Sequence, residues 1–381
     1  MIKILLLIDY SSEFDRKLLR GLVQYSKENG PWLFYRLPSY YSTMHGEQGI
    51  LRWAKEWKAD AIIGQWNNDT IDLQKELNIP VVLQNYHHRS VTYSNLTGDY
   101  KGTGRMAAQF FAKRMFRNFA YFGVKGVVWS DERCEGYRQE VKRIGGEFFS
   151  FESDKQEDEI RMEVSQWLQQ LPKPVALFCC DDAHALFISE TCKMTNIPIP
   201  EDIALLGVDN DELMCNISDP PISSIELEVE RGGYSIGRLI HQQIKKEHEG
   251  TFNIVINPIR IELRQSTEKH NIKDPYILEV VKYIESHYGS DLTIESLLAN
   301  IPLSRRNFEV KFKNALNTSI YQYILNCRCN HLADLLLTTD RPLADLAMEV
   351  GFTDYNNIAR IFKKFKGCSP IEYRQKKTRQ R

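Results

Sequence analysis

No stretch of the 381-residue sequence approaches the ~20 consecutive apolar residues of a helical membrane span, so no bilayer-crossing role is expected. The opening apolar run, Ile4–Ile8, is five residues long and ends at Asp9. That suits a buried strand and is too short for the apolar region of a signal peptide. The eight cysteines, at 134, 179, 180, 192, 215, 327, 329 and 368, include no Cys-x-x-Cys pair, and no histidine cluster stands at metal-ligand spacing. Reduced thiols in a cytoplasmic chain are expected, with no metal and no disulfide scaffold. Low-complexity tracts are missing, as are a Gly-x-x-x-x-Gly-Lys phosphate loop and a His-Glu-x-x-His helix. His87-His88 has no carboxylate near it in sequence and reads as loop lining. No catalytic set and no cofactor are expected. A net charge of −1 leaves neither sign in excess, yet the charges are divided unevenly. Residues 1–270 hold 32 Lys+Arg against 38 Asp+Glu, and residues 271–381 hold 17 against 12. An acidic body with a basic tail points to a polyanionic partner for the tail alone.

The chain is too long for one core, and its texture changes once along its length. Up to about residue 265, short apolar runs alternate with helix-period segments. The runs are Ile2–Ile8, Trp32–Leu37, Ala59–Gly64, Val81–Leu83, Phe119–Phe122, Glu147–Phe151, Val175–Cys179 and Ile203–Val208. Between them lie amphipathic stretches such as Phe14–Lys27, Lys101–Lys113 and Arg133–Ile144. Repeated βα units imply parallel sheets covered by helices on both faces. Two successive groups of strands predict two doubly wound, Rossmann-like lobes, with Gly232–Lys246 and Phe252–Leu263 returning across them. Gly102-Thr-Gly104-Arg-Met-Ala107 fits Gly-x-Gly-x-x-Ala, but it follows the polar Ser94–Tyr100 rather than an expected strand. It reads as the closely packed first turn of a helix.

From Pro275 onward only helix periods occur. Ile294, Leu297, Leu298 and Ile301, then Phe308, Phe312, Ala315 and Leu316, form two short apolar stripes around a Pro302 break. About fifty residues later Leu343, Leu346, Ala347 and Val350, a Gly351 turn, and Ile358, Ile361, Phe362 and Phe365 repeat the pattern. This predicts an all-α domain with two helix-turn-helix units, about 292–316 and 342–366, joined by a long helix over Ser319–Leu337. The expected domains are 1–265, a linker 266–274, and 275–381. Opposite the apolar stripe of the last helix stand Asn356, Arg360 and Lys363, with Asn357 and Lys364 flanking. The first unit presents Arg306, Glu309, Val310 and Lys313. Any one such face reads more simply as a solvated surface. Duplication, regional charge and residue types that fork onto adenine and guanine edges or neutralise phosphate favour double-stranded DNA.

Leu343-Ala-Asp-Leu-Ala-Met-Glu-Val-Gly-Phe352, Asn357–Gly367 and Ser369-Pro370-Ile-Glu-Tyr373-Arg374 closely resemble the signature of AraC/XylS-type regulators, over roughly the last 105 residues. The resemblance implies two units entering successive major grooves, with Tyr355, Asn356, Asn357 and Arg360 base-facing in the second and Arg306, Glu309 and Val310 in the first. The body resembles the periplasmic-binding-protein-like sensor of LacI/GalR-type repressors. Gly207-Val-Asp209-Asn210, the preceding Asn196-Ile-Pro-Ile-Pro-Glu-Asp-Ile203, and Asp99-Tyr-Lys-Gly102 carry that likeness. This sensor followed by AraC-type helices is the architecture of the xylose operon regulators, and Trp129–Arg133 with Tyr137-Arg138 fits it as well.

Ligands of parallel α/β sheets sit beyond the carboxyl ends of strands. Asp9, Asp181, Asp182 and Asp209 each follow an apolar run there, and Arg133 opens a helix after another. Carboxylates and a guanidinium can hold the paired hydroxyls of a sugar, while Tyr10, Trp66, Tyr86 and Trp129 could flatten against its C–H faces. The resemblance implies Arg133, Asp181 and Asp209 as sugar contacts, with Asp182 and Asp99 next; the last two read equally as helix N-caps. The expected function is a sugar-responsive regulator, a homodimer that activates pentose-utilisation genes from a DNA operator. Two alternatives stay open: a regulator answering another ligand or a protein partner, and a Rossmann-like enzyme with a basic tail.

Overall fold

The structure is a computed structural model that describes the chain except residues 9, 38, 67–70, 86, 269–271, 273, 300, 317, 340, 353–354 and 380–381. For residues 39–44, 334, 337–338, 355–356 and 375–379 it describes the backbone alone. The chain divides into two compact units, 1–269 and 270–381.

Continuous apolar runs make the central strands of the first unit. β8 (Val175–Cys179) and β9 (Ile203–Val208) are buried at every position, as a parallel strand covered on both faces must be. In the first lobe β1 (Ile2–Leu7), β2 (Trp32–Arg36), β3 (Ala61–Gly64), β4 (Val81–Leu83), β5 (Ser94–Gly98) and β11 (Asn253–Ile256) pair in the order β11-β5-β4-β3-β1-β2, all parallel. In the second, β6 (Asn118–Val124), β7 (Glu147–Ser153), β8, β9, β10 (Ser223–Leu227) and β12 (Pro258–Glu262) pair as β12-β10-β9-β8-β6-β7, with β12 antiparallel. The covering helices are α1 (Glu13–Asn29), α2 (Ser39–Trp57), α3 (Leu73–Leu77), α4 (Tyr100–Lys113), α5 (Val128–Arg143), α6 (Glu157–Gln170), α7 (Asp182–Met194), α8 (Glu212–Ile217) and α9 (Val229–Ile244). Gly104 lets α4 lie directly on α5, since a Cβ there would sit 2.1 Å from the Arg133 carbonyl oxygen.

The chain crosses between lobes three times, at Asp99, Glu228 and Asn257. These crossings lie side by side: Asp99 N donates to Ile256 O (2.9 Å) and Glu228 N to Asn257 O (3.0 Å). Three adjacent single-residue crossings form a hinge.

Two expectations need correction. Ser94–Gly98 is a strand, with Ser94, Asn95 and Thr97 buried. Their polarity is satisfied locally: Asn95 Nδ2 donates to Ser90 O and Asn253 Oδ1, and Arg89 Nε to Thr97 Oγ1. Ser266 and Thr267 do not begin a linker. They are buried in a short 3-10 turn, where Ser266 Oγ donates to Leu205 O (2.6 Å) and accepts from Ser223 N (2.8 Å).

The second unit is helical: α10 (Pro275–His287), α11 (Ile294–Leu298), α12 (Arg305–Leu316), α13 (Ile320–Thr338), α14 (Leu343–Glu349), α15 (Tyr355–Lys366) and α16 (Pro370–Arg379). Asp274 caps α10 by accepting from Tyr276 N and Ile277 N, and Pro275 fills the first position, where a missing N–H costs nothing. The α11–α12 and α14–α15 pairs are the two helix-turn-helix units, and α13 packs against helices of both. Gly351 at φ +89° makes the second turn, a conformation β-carbon-bearing residues avoid. Phe308 and Phe312 in one unit and Ile358 and Phe362 in the other are fully buried, fifty positions apart.

Candidate functional site

The sensor cleft is built at the carboxyl ends of β8 and β9 and along one face of α5. Arg133 lies in the second turn of α5 rather than at its start, and it is 3% exposed. Its guanidinium sits over the rings of Trp129 (5.3 Å) and Tyr100 (5.6 Å) and donates through Nη1 to Cys180 O. Nη2 stands 3.7 Å from Asp209 Oδ1, an ion pair too long for a hydrogen bond. Among the described residues, Arg133 Nε and Asp209 Oδ1 are buried without a hydrogen-bond partner, a costly condition that a polyhydroxylated ligand would relieve. Burial pushes the Asp209 carboxyl up to about 6, with Arg133 opposing and Asp181 adding to the rise.

Asp181 caps α7: Oδ1 accepts from His184 N (2.8 Å) and faces His184 Nδ1 at 2.7 Å. Burial raises its pKa, but the imidazole outweighs that and holds the carboxyl below its ordinary value. Cys180, Asp181 and His184 bring potential metal ligands within 4.8 Å of one another, a grouping that spacing alone did not suggest. The α7 N-terminus and the Arg133 guanidinium both disfavour a cation there, and the trio is satisfied as a hydrogen-bonded set.

Asp182 is neither cap nor ligand-facing. It is 2% exposed, accepting from Ser224 Oγ (2.6 Å) and Asp211 N (2.7 Å), so its carboxylate braces the loop after β9. Asp99 is exposed and caps α4 through Gly102 N (2.8 Å). Asp9 and Tyr86 lie outside the described residues. Trp66 is 4% exposed in the first lobe's core, with Nε1 directed at Ile71 O. Tyr10 lies half-buried beneath Arg36.

Residues that the sequence reading passed over tie the lobes across the cleft. Arg89, between β4 and β5, forks onto Glu132 of α5 at 2.6 and 2.8 Å. Arg16 of α1 reaches Asp211 Oδ2 (3.1 Å), and Lys17 donates to the carbonyls of Asp209 and Asn210. Partners 43 to 195 residues apart leave no local signal. A Gly-x-Ser-x-Gly nucleophile elbow was expected to be absent, yet Gly233-Tyr-Ser-Ile-Gly237 has that spelling. It lies inside α9, where Gly233 packs on the Leu18 carbonyl of α1, not on the strand-to-helix turn that chemistry needs.

In the helical unit Arg360 and Lys363 are exposed on α15, and among the described residues neither has an intramolecular partner. Lys364 donates to Gln322 Oε1 (3.0 Å), and Asn357 is half-buried. The side chains of Tyr355 and Asn356 lie outside the described set. On α12, Arg306, Val310 and Lys313 are exposed at the positions fifty before Asn356, Arg360 and Lys363. Glu309 is exposed but engaged by Arg305 Nε (3.1 Å), so its carboxylate is not free to meet a base.

A hinged, two-lobed cleft with unsatisfied charge, followed by paired helix-turn-helix units with free basic faces, defines a ligand-sensing DNA-binding transcription regulator. Residues 108–267 match the periplasmic binding protein-like domain and residues 297–376 a helix-turn-helix domain. The chain is 24% identical to the xylose operon regulatory protein of Escherichia coli K12 over 385 residues, 98% of this chain and 96% of that protein. Identity to the protein of the same name from Haemophilus influenzae Rd is also 24%, across 98% of both. A solved structure described as a xylose-binding transcription activator superposes with a TM-score of 0.60 at 22% identity, over 98% of this chain and 97% of that one. A LacI family regulator from Enterococcus faecium with bound ribose gives 0.57 at 17% identity, over 70% and 98%. The chain is thus a homologue of the xylose operon regulatory proteins along nearly its whole length. No helix among the described residues is long and apolar enough to cross a membrane.

Proposed function

We propose that this chain is a cytoplasmic, homodimeric transcription activator that binds a small aldose, a pentose such as D-xylose, in the sensor cleft. Arg133, Asp209 and Asp181 are the polar contacts and Trp129 and Tyr100 the aromatic walls. The observation that carries the reading is the buried Arg133–Asp209 pair, whose Nε and Oδ1 lack hydrogen-bond partners among the described residues. Vicinal hydroxyls both donate and accept, so one sugar can satisfy the carboxylate and the guanidinium together. The α15 face, Asn356, Arg360 and Lys363, reads the operator, assisted by Arg306, Val310 and Lys313. Asp99 and Asp182 hold structure instead. The naming of whole-length relatives as xylose regulators supports the choice of pentose. Titration calorimetry of the full chain against D-xylose, D-ribose, L-arabinose and D-glucose tests the reading. Saturable heat with D-xylose or another pentose is expected. Absence of heat with every aldose contradicts it and points to another effector.

A further inference from the structure

We propose that Lys17 is a positioning residue for the Asp209 carboxylate, acting on it from the opposite lobe; this rests on the sugar-sensing reading above. Lys17 sits on α1 of the first lobe, 9% exposed, with its Nζ at 2.8 Å from Asp209 O and 3.4 Å from Asn210 O in the second. Asp209 and Asn210 are consecutive non-glycine residues at φ +100° and +49°. Backbone in that region persists only where the surroundings over-determine it.

The second lobe supplies half of those surroundings. Asn210 N donates to Ser224 Oγ, Asp211 N to Asp182 Oδ2, and Arg264 Nη2 to Asn210 Oδ1. These bonds fix the N–H groups and one side chain. The donor to the two carbonyls is Lys17, and the neighbouring Arg16 grips Asp211 Oδ2. The same turn carries the Asp209 carboxylate to within 3.7 Å of Arg133 Nη2. The ammonium therefore selects the backbone conformation in which Oδ1 faces the cleft. Because it belongs to the other lobe, that selection operates only while the lobes are closed. The sugar-binding geometry and lobe closure become one event, as a switch requires.

A lysine suits this position, because its compact ammonium can serve two carbonyls at once. An arginine could fork onto the same pair, whereas methionine or glutamine cannot replace the charge. The experiment uses the full chain as Lys17→Met, Lys17→Gln and Lys17→Arg, with D-xylose as the probe. Without sugar, amide exchange of Asp209–Asp211 should quicken by about tenfold or more in Lys17→Met and Lys17→Gln, while β8 amides keep the parent rate. The dissociation constant for D-xylose should rise by about tenfold or more in both and return toward the parent in Lys17→Arg. Parent-like exchange and affinity in the neutral variants overturn the proposal. So does exchange that quickens equally in β8, which marks Lys17 as general packing. If the parent itself gives no heat with D-xylose, the sugar reading fails while the exchange measurement still decides the tie.

Discussion

Asp209 combines a backbone at φ +100° with a carboxyl whose Oδ1 lacks a hydrogen-bond partner among the described residues and whose pKa burial raises to about 6. A carboxyl raised above its unfolded value is held in the fold more easily protonated than ionised. The free protein therefore gives up stability as pH rises through about 6. Sugar hydroxyls bind the ionised form better, so affinity is highest above that value and falls as pH drops below it. Arg133, Lys17, Asp181 and Asp211 all act on the carboxyl, and His184 faces Asp181, so the control is Asp209→Asn. Calorimetry across pH 5 to 8 should show a transition near 6 in the parent, which the variant loses. At pH 7.5 the variant should bind sugar at least ~1.5 kcal/mol more weakly, the scale of a hydrogen bond to a charged group. A variant that binds like the parent and keeps the pH transition removes Asp209 from the pocket. That Arg133, Asp181 and Asp209 come together was legible, because the ends of parallel strands and the helices that follow them gather at one edge of the sheet. Asp182 and Trp66 carried the same signal and mean something else, since no local pattern tells an inward carboxylate or indole from a cleft-facing one.

At the scale of elements, α12 and α15 and the exposed faces that carry Arg306, Val310, Lys313, Arg360 and Lys363 were legible, because a 3.6-residue apolar stripe fixes the opposite face as well. Glu309 is the exception, since its neutralisation by Arg305 depends on rotamers that spacing does not reveal. Arg360→Ala should cost about 1–3 kcal/mol of operator binding and relax specificity at one base pair, as loss of a fork onto guanine would. Lys363→Ala should weaken every sequence alike and lower the salt slope by about one. Both follow from salt titrations on operator and scrambled duplexes. Parent-like binding by both variants would show that α15 turns another face to DNA. Strands β5 and β10 escaped the sequence reading for the opposite reason. Ser94, Asn95, Thr97, Ser223 and Ser224 are buried polar residues, and their suitability for a strand depends on hydrogen-bond partners that are distant in sequence.

For the whole molecule, the order of architecture, two α/β lobes and then duplicated helical units, followed from period and charge. The hinge did not, because Asp99, Glu228 and Asn257 become neighbours only once three separate segments cross together. Nor did the ties between the lobes, Arg89 with Glu132 of α5 and Lys17 with Arg16 on the loop after β9. In the proposed switch, a sugar held in this cleft and an operator held by α12 and α15 draw on the same conformational equilibrium. Linkage then demands reciprocity: sugar must change operator affinity by the factor by which operator changes sugar affinity. The direct measurement is that pair of factors on the full chain, with operator affinity at zero and saturating D-xylose, and D-xylose affinity with and without operator. Two equal factors of about fivefold or more are expected. D-xylose that binds in the cleft yet leaves operator affinity unchanged would contradict it.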